Sequence, residues 1–286
     1  MYHLPLPAAQ IAELYPNCAN RAGNLQLRTA LLQEGERVIQ RSATYNQMAQ
    51  TSTLYQIAQE NAVHVSNAEL SNLYERALVN GGERPTYLAI RGAGLFGRCP
   101  LCAQRDVGTL DHYLPRASFP EFAVLPVNLV PCCFDCNHAK REHTPAAFAE
   151  QMFHPYFDDW NDLELIQATI VVEDAVYAEF AVNVDTLHPV VADRAAAHFE
   201  TLGLAALYSG HASVELVQRR AGFLLTFENG GPEALQAELL RESQSRRVPF
   251  PNAWQPVLYR ALADSDEFVN GGFYAIDDQL EVAGAD

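Results

Sequence analysis

Apolar positions along the chain predict helices toward both ends and short extended runs between them. Over residues 25–40, Leu27, Leu31, Leu32 and Val38 follow near-helical spacing. Ser66-Asn67-Ala68-Glu69 has the form of a capping box, in which a hydroxyl and a carboxylate three residues apart satisfy each other's backbone N–H groups. It opens a helix carrying Leu70, Leu73 and Leu78, which Gly81-Gly82 ends. Residues 1–85 thus read as mostly helical. Residues 109–114 and 127–132 are short β-prone runs, separated by a loop with prolines at Pro120 and Pro126. A short helix follows over about 134–142. Thr144-Pro145 then reads as an N-cap with proline at the first helical position, so a helix is expected there. Residues 163–172 and 175–184 are β-rich and, joined at Glu173-Asp174, predict a hairpin. Beyond it Val191, Ala195, Phe199 and Leu202 share a helix face that ends at Gly203. Further helices are expected at 212–226, 232–245 and 253–263. The fold class is therefore α+β: a small central module, residues 91–145, between mainly α-helical flanks, 1–90 and 146–286, with a β-hairpin near 163–184.

Charge changes this picture. The net charge is −16, but residues 91–145 carry six cations against five acids, whereas residues 146–286 carry seven arginines against 23 acids. A uniformly acidic surface would repel nucleic acid, while a near-neutral middle can still meet a phosphate backbone. The acidic region reads either as a solvated surface, or as one that binds a partner or folds over the central module and mimics DNA charge until released. No run approaches 18 uninterrupted apolar residues, and Met1-Tyr2-His3-Leu4-Pro5 lacks a basic stretch followed by an apolar one. A cytoplasmic location without a membrane anchor is expected. The glycine-rich residues 91–98 lack the Gly-Lys-Ser/Thr ending of a phosphate-binding loop and read as a turn.

Five of the six cysteines fall between Cys99 and Cys136. Cys99-Pro-Leu-Cys102 and Cys133-Phe-Asp-Cys136 are matched Cys-x-x-Cys knuckles, able together to offer four thiolates to one tetrahedral Zn²⁺. Such a site leaves no open position, so its metal is structural. Cys132 competes with Cys133 as a ligand, and the spacing to Cys136 favours Cys133. Cys18 and Cys132 read as small core residues. A zinc deaminase would pair His-x-Glu with Pro-Cys-x-x-Cys; here His112 is followed by Tyr113-Leu114, and Pro131-Cys132 has no Cys three residues on.

Between and after the knuckles lie Asp111-His112-Tyr-Leu-Pro115-Arg116, Asn128-Leu129, and Asn137-x-x-Lys140 directly after Cys136. Over these roughly 45 residues, 99–143, the chain resembles the HNH endonucleases that carry a four-cysteine zinc site. The resemblance implies a ββα-metal fold with a hairpin bearing Asp111 and His112 and a helix bearing Asn137. It implies one Mg²⁺ or Mn²⁺ held by Asp111 and Asn137, His112 as general base, and Asn128 orienting His112 and bracing the loop. The third motif position is Asn here, where the name-giving pattern has His, and an oxygen ligand suits Mg²⁺ or Mn²⁺. DNA is the implied substrate. The layout also resembles bacterial and phage nucleases of anti-phage defence, some of which work beside a separate ATPase.

The chemistry stands beside the resemblance. Phosphodiester hydrolysis needs an activated water and neutralised phosphate charge, and an imidazole is a suitable base near neutral pH. Arg116, Lys140 and Arg141 are candidates for flanking phosphate contacts. Adjacent strand residues point to opposite faces, so a bulge or strand end must bring Asp111 and His112 together. The plainer readings are a surface turn at Asp111-His112, a turn cap at Asn128, a helix cap at Asn137 and a solvated Lys140. His138 and His143 are rival metal ligands. A non-catalytic zinc module binding nucleic acid or protein is the alternative function, and RNA the alternative substrate.

Overall fold

The described residues form a mixed structure of helices and two small antiparallel sheets. The computed structural model describes residues 1–276. Its chain divides into two compact units, Met1–Trp160 and a second beginning at Asn161.

The first unit opens with α1 (Ile11–Asn20), α2 (Leu25–Gln33) and α3 (Gly35–Gln50). The Asn24 side chain caps α2 by accepting the Gln26 N–H at 2.8 Å. The single helix expected over 25–40 is interrupted at Glu34 and then runs to Gln50. At the interruption the Glu34 carboxylate turns fully inward, accepts the Val63 and His64 N–H groups, and pairs with Arg37. Half of the capping box forms: the Ser66 hydroxyl accepts the Glu69 N–H at 3.2 Å at the start of α4 (Asn67–Ser71), and the Glu69 carboxylate pairs with Arg76 at 2.8 Å. The helix does not continue regularly, because Tyr74–Val79 is π-helical. After α5 (Arg84–Arg91) come β1 (Thr109–His112), β2 (Leu129–Cys132) and α6 (Phe134–Lys140). β1 and β2 pair antiparallel from Thr109↔Cys132 to His112↔Leu129.

Residues 1–90 share one core with this hairpin. Leu14, Tyr15, Leu31, Leu73, Leu78 and Ile90 are buried in the same cluster as Leu110, Val124 and Leu129. The boundary expected at 90 is therefore crossed by the core. Both strands are shorter than expected: past His112↔Leu129 Tyr113 still gives its N–H to the Asn128 carbonyl at 2.8 Å, but the Asn128 N–H turns to the Leu125 carbonyl at 2.9 Å and the ladder ends. No α-helix follows Thr144-Pro145, contrary to expectation. Only a short 3₁₀ turn forms, Phe148–Glu150, and the Glu150 carboxylate accepts the Ala146 N–H at 2.8 Å to close a loop.

The second unit holds the expected hairpin as β3 (Ile166–Val172) and β4 (Val176–Val182). Val176, Ala178 and Phe180 are buried while Tyr177 and Glu179 are exposed, the alternation of a half-covered sheet. α7 (Pro189–Thr201) leads to α8 (Leu204–Arg247), which packs on α9 (Trp254–Asp264) before the short α10 (Asp266–Val269). The helices expected at 212–226 and 232–245 are parts of α8, divided at Gly231. There φ is 71° and ψ −166°, a conformation open to glycine, and Pro232 supplies no N–H to bridge the break. Among the described residues no helix is long and apolar enough to cross a membrane.

Candidate functional site

Two turns of chain bring the four expected cysteines together. The Sγ atoms of Cys99, Cys102, Cys133 and Cys136 all lie within 4.8 Å of one another, and all four residues are buried. Tetrahedral ligation at a Zn–S distance of about 2.3 Å would place sulfurs roughly 3.8 Å apart, so the cluster could hold a metal such as zinc. The first knuckle closes by Ala103 N–H to Cys99 O at 2.7 Å, and the second by Cys136 N–H to Cys133 Sγ at 3.3 Å. Cys132 ends β2, lies outside the cluster, and its thiol is pushed up by burial, so of the competing pair it is Cys133 that joins the cluster. The Phe134 ring lies over Gly108, where a Cβ would stand 2.4 Å from the ring, so a side chain there would require the exposed ring to move.

On the other end of the hairpin a second group forms. β1 ends at His112, which resolves the alternation problem: Asp111 and His112 both line a cavity of about 370 Å³. Ser71, Asn72, Arg116 and Arg141 line it as well. His112 Nε2 lies 2.9 Å from the Ala123 carbonyl, which can only accept, so Nε2 carries the proton and Nδ1 keeps its lone pair. The ring meets the edge of Tyr74 at 4.6 Å between centroids. Burial pushes the imidazole pKa down to about 3, with Arg116 and Lys140 adding to the effect and the Ala123 bond opposing it. His112 is therefore neutral near pH 7.

Asn128 is fully buried and has a clear task. Its Oδ1 accepts the Leu114 N–H at 2.8 Å, and its Nδ2 donates to the carbonyls of Leu114 (3.0 Å) and Phe122 (3.2 Å). It thus ties both ends of the loop that presents the Ala123 carbonyl to His112. The neighbouring Glu121 carboxylate is held by Arg41 of α3 at 2.9 Å, in an almost fully buried pair.

Lys140 differs from expectation. It is buried, with Nζ 2.9 Å from Asp111 Oδ2 and 2.7 Å from the His112 carbonyl, so it faces inward and not toward a flanking phosphate. Burial raises the Asp111 pKa, and the Lys140 charge opposes that rise. Asn137 is half-buried on α6 and does not line the cavity. It lies three residues before Lys140 and therefore on the same helix face. His138 is exposed, and His143 Nε2 lies 3.2 Å from the Glu150 carbonyl. Arg116 reaches the cavity, pairs with Glu75 at 3.0 Å, and packs over Tyr74. Arg141 is exposed at the rim with φ of 51°, a strained backbone directly after α6.

Sequence reasoning missed Ser71, Asn72, Tyr74, Glu75, Arg41 and Glu121. All lie outside the cysteine module or in its loop, and none belongs to a spaced motif. The capping box located the helix that brings Ser71 in, but no local signal said what that helix would face.

The chain is similar to Protein ea31 of Escherichia phage lambda, 27% identical over 303 aligned residues that cover 95% of this chain and 100% of that protein. No family model matches, and no solved structure matches.

The donors at the second site suit a hard divalent cation. Asp111 offers a carboxylate oxygen that already holds a cation in the Lys140 ammonium, while Asn137, whose amide oxygen is the same class of donor, stands outside the residues that line the cavity.

Proposed function

We propose that this protein is a metal-dependent endonuclease of the HNH type, acting on DNA phosphodiester bonds. The observation that carries the reading is His112. Its Nε2 proton is committed to Ala123, its neutral ring lines a cavity with Asp111, and Nδ1 is left to accept a proton from water. In this reading His112 is the general base, and Asn128 positions it through the loop. Asp111 and Asn137 hold Mg²⁺ or Mn²⁺, which when bound supplies charge neutralisation at the scissile phosphate. Arg116 and Arg141, at the same cavity, bind the phosphate backbone. The four-cysteine cluster holds a structural zinc. A role in anti-phage defence beside a partner ATPase, in the cytoplasm, extends the proposal by the same resemblance.

The test is cleavage of supercoiled plasmid, linear duplex, single strands and RNA with added Mg²⁺ or Mn²⁺. The wild-type protein should cut DNA, and His112→Ala should not, with zinc content and fold unchanged. Equal cleavage by the variant removes His112 as base. A wild-type protein that binds DNA without cutting it under any of these conditions favours the non-catalytic zinc module.

A further inference from the structure

The buried lysine beside the candidate metal ligand has a role that a phosphate contact does not describe. Lys140 is the only lysine of the chain. Its side chain is 4% exposed and that of Asp111 7%. The ammonium satisfies two acceptors, Asp111 Oδ2 and the His112 carbonyl, both on the strand that would carry the metal ligand and the base. A divalent cation on the same carboxylate would stand a few ångströms from a positive charge in an interior that screens poorly. The two cations compete for one oxygen.

Resting on the reading of Asp111 as a metal ligand, we infer that Lys140 is a resident counter-cation: it occupies Asp111 in the metal-free protein and leaves that oxygen when the divalent cation binds. Metal entry is then an exchange and not an addition. A buried carboxylate without a partner would be unfavourable, and the lysine removes that problem until metal arrives. The four-carbon stem lets the head rotate while the helix stays in place. The displaced ammonium moves toward the cavity, where Glu142 stands beside Arg116 and Arg141.

The single lysine allows a direct experiment on the full-length, zinc-loaded protein. The rate of Lys140 acylation by a water-soluble succinimidyl ester is followed by peptide mass spectrometry, which separates it from the terminal amine. Mn²⁺ binding is followed by the electron paramagnetic resonance signal of the free ion, with Asp111→Asn as the control. Acylation should be slow without Mn²⁺ and rise at least tenfold at saturation. Lys140→Gln, and Lys140→Met where it folds, should bind Mn²⁺ at least tenfold more tightly than wild type. Asp111-dependent Mn²⁺ binding that is unchanged or weaker in these variants overturns the inference while leaving the endonuclease reading standing. If neither variant folds, an acylation rate unmoved by saturating Mn²⁺ overturns it. No Mn²⁺ binding by the wild type or by either variant overturns both.

Discussion

The two candidate sites of the first unit stand on the same hairpin and are built on opposite principles. The sulfur cluster is closed: four like ligands, all buried, already within reach of one another. The Asp111–His112 site is mixed and open, with one carboxylate, one imidazole and a cavity of about 370 Å³. A closed tetrahedral site can only fasten, because no ligand position is left. A site with a free lone pair beside a cavity can act on something that enters. The comparison also separates what each loses on mutation: the first should lose the fold, the second its chemistry.

The largest effect should come from metal removal. Chelation, or Cys136→Ser, should unfold the first unit, since structural zinc contributes on the order of 10–16 kcal/mol of apparent binding free energy in small modules. Calorimetry with zinc analysis checks this, and a variant that melts like wild type without zinc would break the comparison. Next, His112→Ala should lower cleavage by about 10²–10⁴-fold, the usual range for a general base, with Tm little changed. Asn128→Ala should cost about 2–4 kcal/mol, because it strands buried backbone groups of Leu114 and Phe122. Its cleavage should fall less than that of His112→Ala, read as kcat at a temperature where both are folded. Glu75→Gln frees Arg116 from a partly exposed ion pair and should tighten DNA binding only a few-fold, measured by anisotropy at fixed salt.

The smallest effect concerns pH. Burial pushes the Glu34 carboxyl up, but the His64 and Val63 N–H groups and Arg37 hold it below the ordinary carboxylate value. The unfolded chain therefore takes up this proton first as pH falls, and Glu34's stabilisation is present above about pH 4.5 and fades below it. Glu34→Gln should flatten the acid side of the stability curve, and an unchanged slope would remove Glu34 from that role.

The knuckles were legible because metal ligation imposes a spacing on the sequence itself. The hairpin at Glu173-Asp174, the Ser66 cap and the break near Gly231 were legible for a related reason: each is set by residues within a few positions of one another. The helix expected after Thr144-Pro145 was misread because the Glu150 side chain closes a loop that the N-cap pattern does not anticipate. Lys140 was misread because helix position says nothing about burial, and only docking of α6 on β1 turns its charge toward Asp111.

By itself, the sequence determined the types of atoms available: four sulfurs in two turns, a carboxylate next to an imidazole, an amide one helical turn before a lysine. Tertiary structure decided their states. It chose Cys133 over Cys132, committed one nitrogen of His112 to Ala123, and drew Ser71 and Asn72 to the cavity, and Glu75 to Arg116, from a helical region with no motif. The division is physical. Ligand identity and spacing are covalent properties of the chain, whereas tautomer, burial and ion pairing depend on groups brought together from distant positions.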